Sequence, residues 1–175
     1  MRDQRIRKVK LDGARVEITS IETWGVSNER EWTLRCSEPP DPQFPIAMQA
    51  MVPAIKDMLE LPKDWADGNF KVLSVTFSWS ESTEIKGASI CCRADLDCAT
   101  SPLIFNTPHL PYDQYAEGGE QPVMPEALVD LLEKFEAYAR GYLAGTRAQE
   151  DLFDTGSKPI SGKDAAAGER AEAML

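Results

Sequence analysis

Apolar and polar residues alternate in short runs over the first half of the chain, and wider helical spacing interrupts and then closes the pattern. In "KVKLDGARVEIT", Val9 and Leu11 precede Asp12-Gly13, and Val16 and Ile18 follow it. Period-two spacing on both sides of Asp-Gly predicts two strands joined by a tight turn, because glycine reaches the left-handed backbone such turns require. "EWTLRC" predicts a third strand, with Trp32, Leu34 and Cys36 on one face and Glu31, Thr33 and Arg35 on the other. The prolines of "SEPPDPQFP" then stop the alternation.

Residues 46–61 change period. Met48, Val52, Ile55 and Leu59 fall on one helical face, with Met51 and Met58 beside them. Pro53 removes a backbone donor inside this segment, so either a kink is expected or a short helix followed by a longer one starting at Pro53. Alternation returns in "FKVLSVTFSWS", which predicts Val72, Ser74, Thr76 and Ser78 on one face and Leu73, Val75, Phe77 and Trp79 on the other. "IKGASICCRADL" reads as the partner strand, and "SPLIFNTPHLP" as a short apolar run bounded by prolines. Pro125 opens the longest helix, whose apolar stripe runs through Leu128, Leu131, Leu132, Phe135, Tyr138, Tyr142 and Leu143, and Gly145 suits its C-terminal cap. The pattern predicts a single α+β domain over residues 1–147: a mainly antiparallel sheet with two amphipathic helices packed on it. Residues 148–175 are expected to form a flexible, disordered tail, with a frayed helix in "DAAAGERAEAML" as the alternative near its end.

Charge narrows the choice of partner. The net charge of −10 argues against a basic nucleic-acid footprint spread over the whole surface. Arg2, Arg5, Arg7, Lys8 and Lys10 nevertheless cluster at the start, either as a solvated first strand or as a weak nucleic-acid contact. No apolar run is long enough to span a bilayer, and no signal-peptide pattern follows the N-terminal charges. A cytoplasmic protein with no membrane partner is expected, with Cys36, Cys91, Cys92 and Cys98 as reduced thiols.

Candidate chemistry is sparse. The chain has neither a phosphate-cradling glycine loop, nor G-x-S-x-G, nor H-E-x-x-H. His109 is the only histidine and lies among prolines with no nucleophile pattern nearby, so a surface or loop-packing role is expected. Four thiolates suit Zn²⁺, but adjacent Cys91 and Cys92 point to opposite faces of a strand and do not grip one ion together. Asp95, Asp97, Asp113 and Glu120 offer carboxylates for Mg²⁺, yet nothing in their spacing fixes a site, and a solvated surface is the simpler reading. No enzyme, metal or cofactor is expected.

One phrase stands apart. In "QEDLF", Leu152 and Phe153 are adjacent large apolar residues placed after the last helical stretch. The pentapeptide Gln149-Glu150-Asp151-Leu152-Phe153 resembles the peptides by which polymerases and repair proteins bind the bacterial DNA sliding clamp, its beta subunit. The resemblance implies that Leu152 and Phe153 are anchors in an apolar pocket, Gln149 an orienting polar latch and Asp151 a favoured third residue. Glu150 departs from the commoner leucine at the second position. Each anchor gains about 1.5–3 kcal/mol on full burial, enough to offset part of the ordering of a short segment. The alternative is that Leu152 and Phe153 fold back and staple the last helix to the domain.

More broadly, "LSVTFSW", "GASICCRADL", "SPLIFNTPHLP" and "RAQEDLF" resemble segments, in order, of a group of tailed-bacteriophage and prophage proteins, over most of residues 5–154. That resemblance transfers no activity. It implies a phage setting and service in phage DNA replication, recombination or repair. Two functions follow as expectations: a non-enzymatic adaptor held on the host clamp by its tail, or a counter-defence or host-takeover protein whose acidic domain blocks a host protein.

Overall fold

In the computed structural model of the chain, the described residues are 3–24, 28–81, 83–114 and 121–147. Strands β1 (Asp3–Asp12), β2 (Arg15–Trp24) and β3 (Asn28–Cys36) form an antiparallel meander. Asp12 pairs with Arg15, so the two-residue loop is Gly13-Ala14 rather than Asp12-Gly13. Gly13 has φ +61°, which fits a hairpin turn with glycine at its first central position. The second half of the sheet is β4 (Phe70–Trp79), β5 (Lys86–Ala94), β6 (Leu103–Asn106) and the short β7 (Leu110–Pro111). The strand order is β3-β2-β1-β4-β5-β6, with β7 pairing β5 beyond the end of β6. All pairs are antiparallel, as expected.

Two β-bulges lie in the neighbouring central strands. One falls between Ile6 and Lys8 in β1, the other between Val72 and Ser74 in β4. The second corrects the simple alternation expected for β4. An extra residue, Leu73, shifts the phase, so Val72 joins Val75 and Phe77 on the core face while Ser74 and Thr76 turn to the other. The same device in β1 lets Ile6 and Val9 both face the core although they are three residues apart.

The helices cover one face. The segment around Pro53 divides into α1 (Gln43–Gln49) and α2 (Val52–Met58), so the expected interruption is a full break between two short helices. α1 begins three residues earlier than its apolar spacing suggests, since Pro45 sits in its first turn, where no donor is lost. Pro53 likewise occupies the first turn of α2. The long helix α3 (Glu126–Leu143) lies against α1, α2 and β1. Phe44 of α1 meets Phe135 of α3 edge-on at 5.2 Å, and Tyr142 at 6.1 Å. With Leu128 and Leu132 of α3 and the inward residues of β1, β2, β4 and β5, they form one continuous core.

Helix ends are closed by backbone geometry. At the end of α3 the Gly145 N–H donates to the Tyr142 carbonyl (3.1 Å) and the Thr146 N–H to the Gly141 carbonyl (2.9 Å), with Gly145 at φ +103°. This is the glycine-terminated cap expected at Gly145. α2 ends in the same bond pattern, Glu60 N–H to Asp57 and Leu61 N–H to Lys56, but Glu60 carries the positive φ, +52°. The opposite sheet face carries Lys8, Lys10, Glu17, Thr19, Thr33, Arg35, Thr76 and Ser89, and no described helix packs on it.

Candidate functional site

β1 places Lys8 and Lys10 of the basic cluster on this open face, and Arg5 at the margin between it and α3. Arg7 donates to Glu31 at 2.8 Å, reaching across β2 to β3. Arg5 lies 3.6 Å from Glu84, with its guanidinium 5.7 Å from the centre of the Trp79 ring. Lys8 stands between Thr19 and Thr76, and Lys10 between Glu17 and Ser74; both lysines are exposed. Glu17 also accepts from Arg35 at 2.9 Å. Arg5, Arg7 and Lys10 thus have carboxylates beside them, which a phosphate backbone would have to displace, whereas Lys8 lies between threonines. Arg2 lies outside the described residues.

Gln149, Asp151, Leu152 and Phe153 also lie outside the described residues. The last described residue, Arg147, is held firmly. Its Nε donates to Glu38 at 2.8 Å and its guanidinium lies 3.7 Å from the centre of the Tyr142 ring. Tyr142 in turn donates from its hydroxyl to the Glu38 carbonyl at 2.7 Å. The chain therefore leaves the described domain beside the residues that follow β3, two positions before Gln149.

A charged seam joins sheet and helix on the side of α3. Lys86 of β5 donates to Glu136 of α3, whose other oxygen accepts from Arg140 at 2.8 Å. The Lys86 and Glu136 side chains are 19% and 10% exposed, and Lys86 lies 4.6 Å from the Phe77 ring centre and 5.3 Å from that of Tyr112. Arg140 also donates to the Gln4 carbonyl at 3.0 Å. Above the seam is an open depression of ≈ 430 Å³ between β1 and α3, edged by Arg5, Trp79 and Glu133. Burial, followed by the charges of Glu136 and Glu133, raises the Tyr112 pKa above its ordinary value. Two cations hold the one carboxylate in place, an arrangement suited to joining elements. Sequence reasoning missed this seam because its members sit 50 residues apart with no shared local pattern.

The remaining reactive side chains are scattered. His109 lies over Gly87, and its Nε2 contacts the Ser78 hydroxyl; no carboxylate bonds the ring among the described residues. A methyl group at Gly87 would come within 2.7 Å of the imidazole, so glycine is what lets the ring close down there. Cys91 and Cys92 take opposite faces, as expected. Cys92 lies buried between Val72 and Phe105, and burial, aided by Cys91, pushes its thiol up to about 12. Cys36 is lowered from its ordinary value, chiefly by the Tyr142 hydroxyl and then by the Glu38 backbone. Cys98 is exposed in a separate hollow of ≈ 200 Å³ with Trp65, Phe70, Asp95 and Asp97. Among the described residues no group of three or more His, Cys, Asp or Glu is placed to hold a metal ion. None of the described helices is long and apolar enough to cross a membrane. No protein-family model matches the chain, and neither curated proteins nor solved structures return a match to it.

Proposed function

We propose that the chain is a non-enzymatic phage adaptor for DNA replication or recombination, which attaches to the host DNA sliding clamp through Gln149, Asp151, Leu152 and Phe153. The observation that carries the reading is the pentapeptide itself, two residues beyond the anchored Arg147. Gly145 and Thr146 complete the α3 terminus with their own backbone N–H groups, so that cap requires nothing from the pentapeptide. The interleaved charges on β1 favour a protein partner over a phosphate backbone for the same reason, since Arg7 is already engaged by Glu31. A single short peptide buries little surface, so its affinity is modest and rests on the two anchors.

The test is binding of a bacterial sliding clamp to the full chain and to a peptide of residues 146–156. Both bind, and Leu152→Ala with Phe153→Ala weakens each by about tenfold or more, the loss expected when two central anchors are removed. Equal binding by the natural peptide and the doubly substituted one would exclude the clamp as partner.

A further inference from the structure

Among the described residues the sheet ends on β3. This strand pairs β2 over its full length and pairs no other described strand. Antiparallel strands bond alternate residues to alternate neighbours. The hairpin closed by Asp12 and Arg15 directs Arg15 to β1 and Val16 to β3. The register then runs unbroken from Val16 and Cys36 to Trp24 and Asn28. Glu29, Glu31, Thr33 and Arg35 therefore turn their backbone N–H and C=O groups away from β2, toward the outer edge. A nine-residue edge of this kind is a template for another strand.

We propose that the strand it takes is β3 of a second copy, antiparallel, about a two-fold axis at Thr33. Three observations select this occupant and register. On the open face, the pairing sets Glu31 of each copy opposite Arg35 of the other. Within one copy Arg7 already donates to Glu31 and Arg35 to Glu17. Across the seam the row reads Arg7, Glu31, Arg35, Glu17, with signs alternating throughout. On the other face, half-buried Trp32 meets half-buried Leu34 of the partner copy, an aromatic–aliphatic pair at the closer, non-hydrogen-bonded spacing. A one-residue slip would turn these apolar side chains to the charged face. A shift that puts Trp32 on the axis leaves Glu31 opposite Thr33 and loses the charge match. The pairing rests on β3 alone and is independent of the clamp reading.

Sedimentation of the full-length chain across micromolar concentrations tests it. The expected result is a reversible dimer. Glu31→Arg and Arg35→Glu each set like charges face to face, and each weakens self-association by about tenfold or more. Mixed together, the two variants form a heterodimer, because each of the two contacts across the axis then pairs an arginine with a glutamate. Thr33→Pro also abolishes the dimer while leaving the backbone pairing with β2 in place, since the N–H it removes points outward; it also removes the Thr33 hydroxyl that lies 3.0 Å from that of Thr19, and thermal unfolding checks that the fold survives. A chain that stays monomeric overturns the proposal. So does a dimer that appears only after residues 148–175 are removed, which would mean that the chain's own tail occupies the edge. A dimer indifferent to all three substitutions would place the interface elsewhere and equally overturn it.

Discussion

Glu60 holds a left-handed backbone at the end of α2, where a glycine would carry no steric penalty. Glu60→Gly is expected to stabilise the protein by about 0.5–1 kcal/mol, net of the greater freedom glycine gives the unfolded chain. A urea midpoint that falls instead of rising would mean the glutamate side chain holds something of its own. Gly145, at the corresponding place after α3, was readable from sequence because glycine announces such a position; glutamate does not. Cys92 supplies a pH dependence of defined sign. Its thiol ionises near 9 in an unfolded chain and near 12 in the fold, so the unfolded state loses its proton first. Stability is complete below pH 9 and declines as pH rises toward 12. Tyr142, raised from 10 to about 12 by burial and the Cys36 hydrogen bond, adds to the decline at its upper end. Denaturant titrations at about pH 8 and about pH 11 measure the slope, and Cys92→Ala reduces it. An unchanged slope in that variant would assign the whole effect to other groups.

Among the elements, the Lys86–Glu136 seam matters most because it ties β5 to α3. Glu136→Gln keeps the shape and removes the charge, leaving Lys86 largely sheltered without its bonded carboxylate. The expected loss is about 2–4 kcal/mol, read from thermal or urea unfolding. Replacing both partners, Lys86→Met with Glu136→Leu, restores most of that loss, because neither charge then has to be kept from water. If the double variant is as unstable as Glu136→Gln, the seam does not act through uncompensated charge. Elements of this protein were legible to the extent that their signals are local. Pro53 marked a break, and the alternation of Trp32, Leu34 and Cys36 placed β3 in its observed phase. β4 was misread because a bulge adds one residue without any punctuating glycine or proline, so Val72 changed face unannounced. The seam was invisible for a different reason: a lysine and a glutamate 50 residues apart form a pair only once topology brings them together.

At the scale of the molecule, one face of the sheet is covered by helices and the other is a mosaic of opposite charges beside an edge that pairs no other described strand. The sheet and the covering helices were predictable in kind, since period two and period three-to-four each require a core of one geometry. Candidate sites were less so. The basic residues of β1 form a cluster in the sequence itself, but their acidic partners come from β2, β3 and the turn after β4. A dimer through β3 would carry two copies of the "QEDLF" phrase, so a bivalent attachment to a multimeric partner would exceed the single-peptide affinity. The dimer and the adaptor role can nevertheless fail separately, because Thr33 and Phe153 belong to different parts of the chain.

The placement of β1 sets an order on how the chain is completed during synthesis. β1 can pair at once with β2, its neighbour in sequence, yet its other edge waits for Thr76 and Val75 of β4. The apolar side of both strands then stays uncovered until Leu128, Leu132 and Phe135 arrive with α3. An incomplete chain presents a wide, wet, sticky sheet. Non-local closure of this kind makes α3 the step that ends that exposure, and a nascent chain that stops before α3 leaves the face open to association.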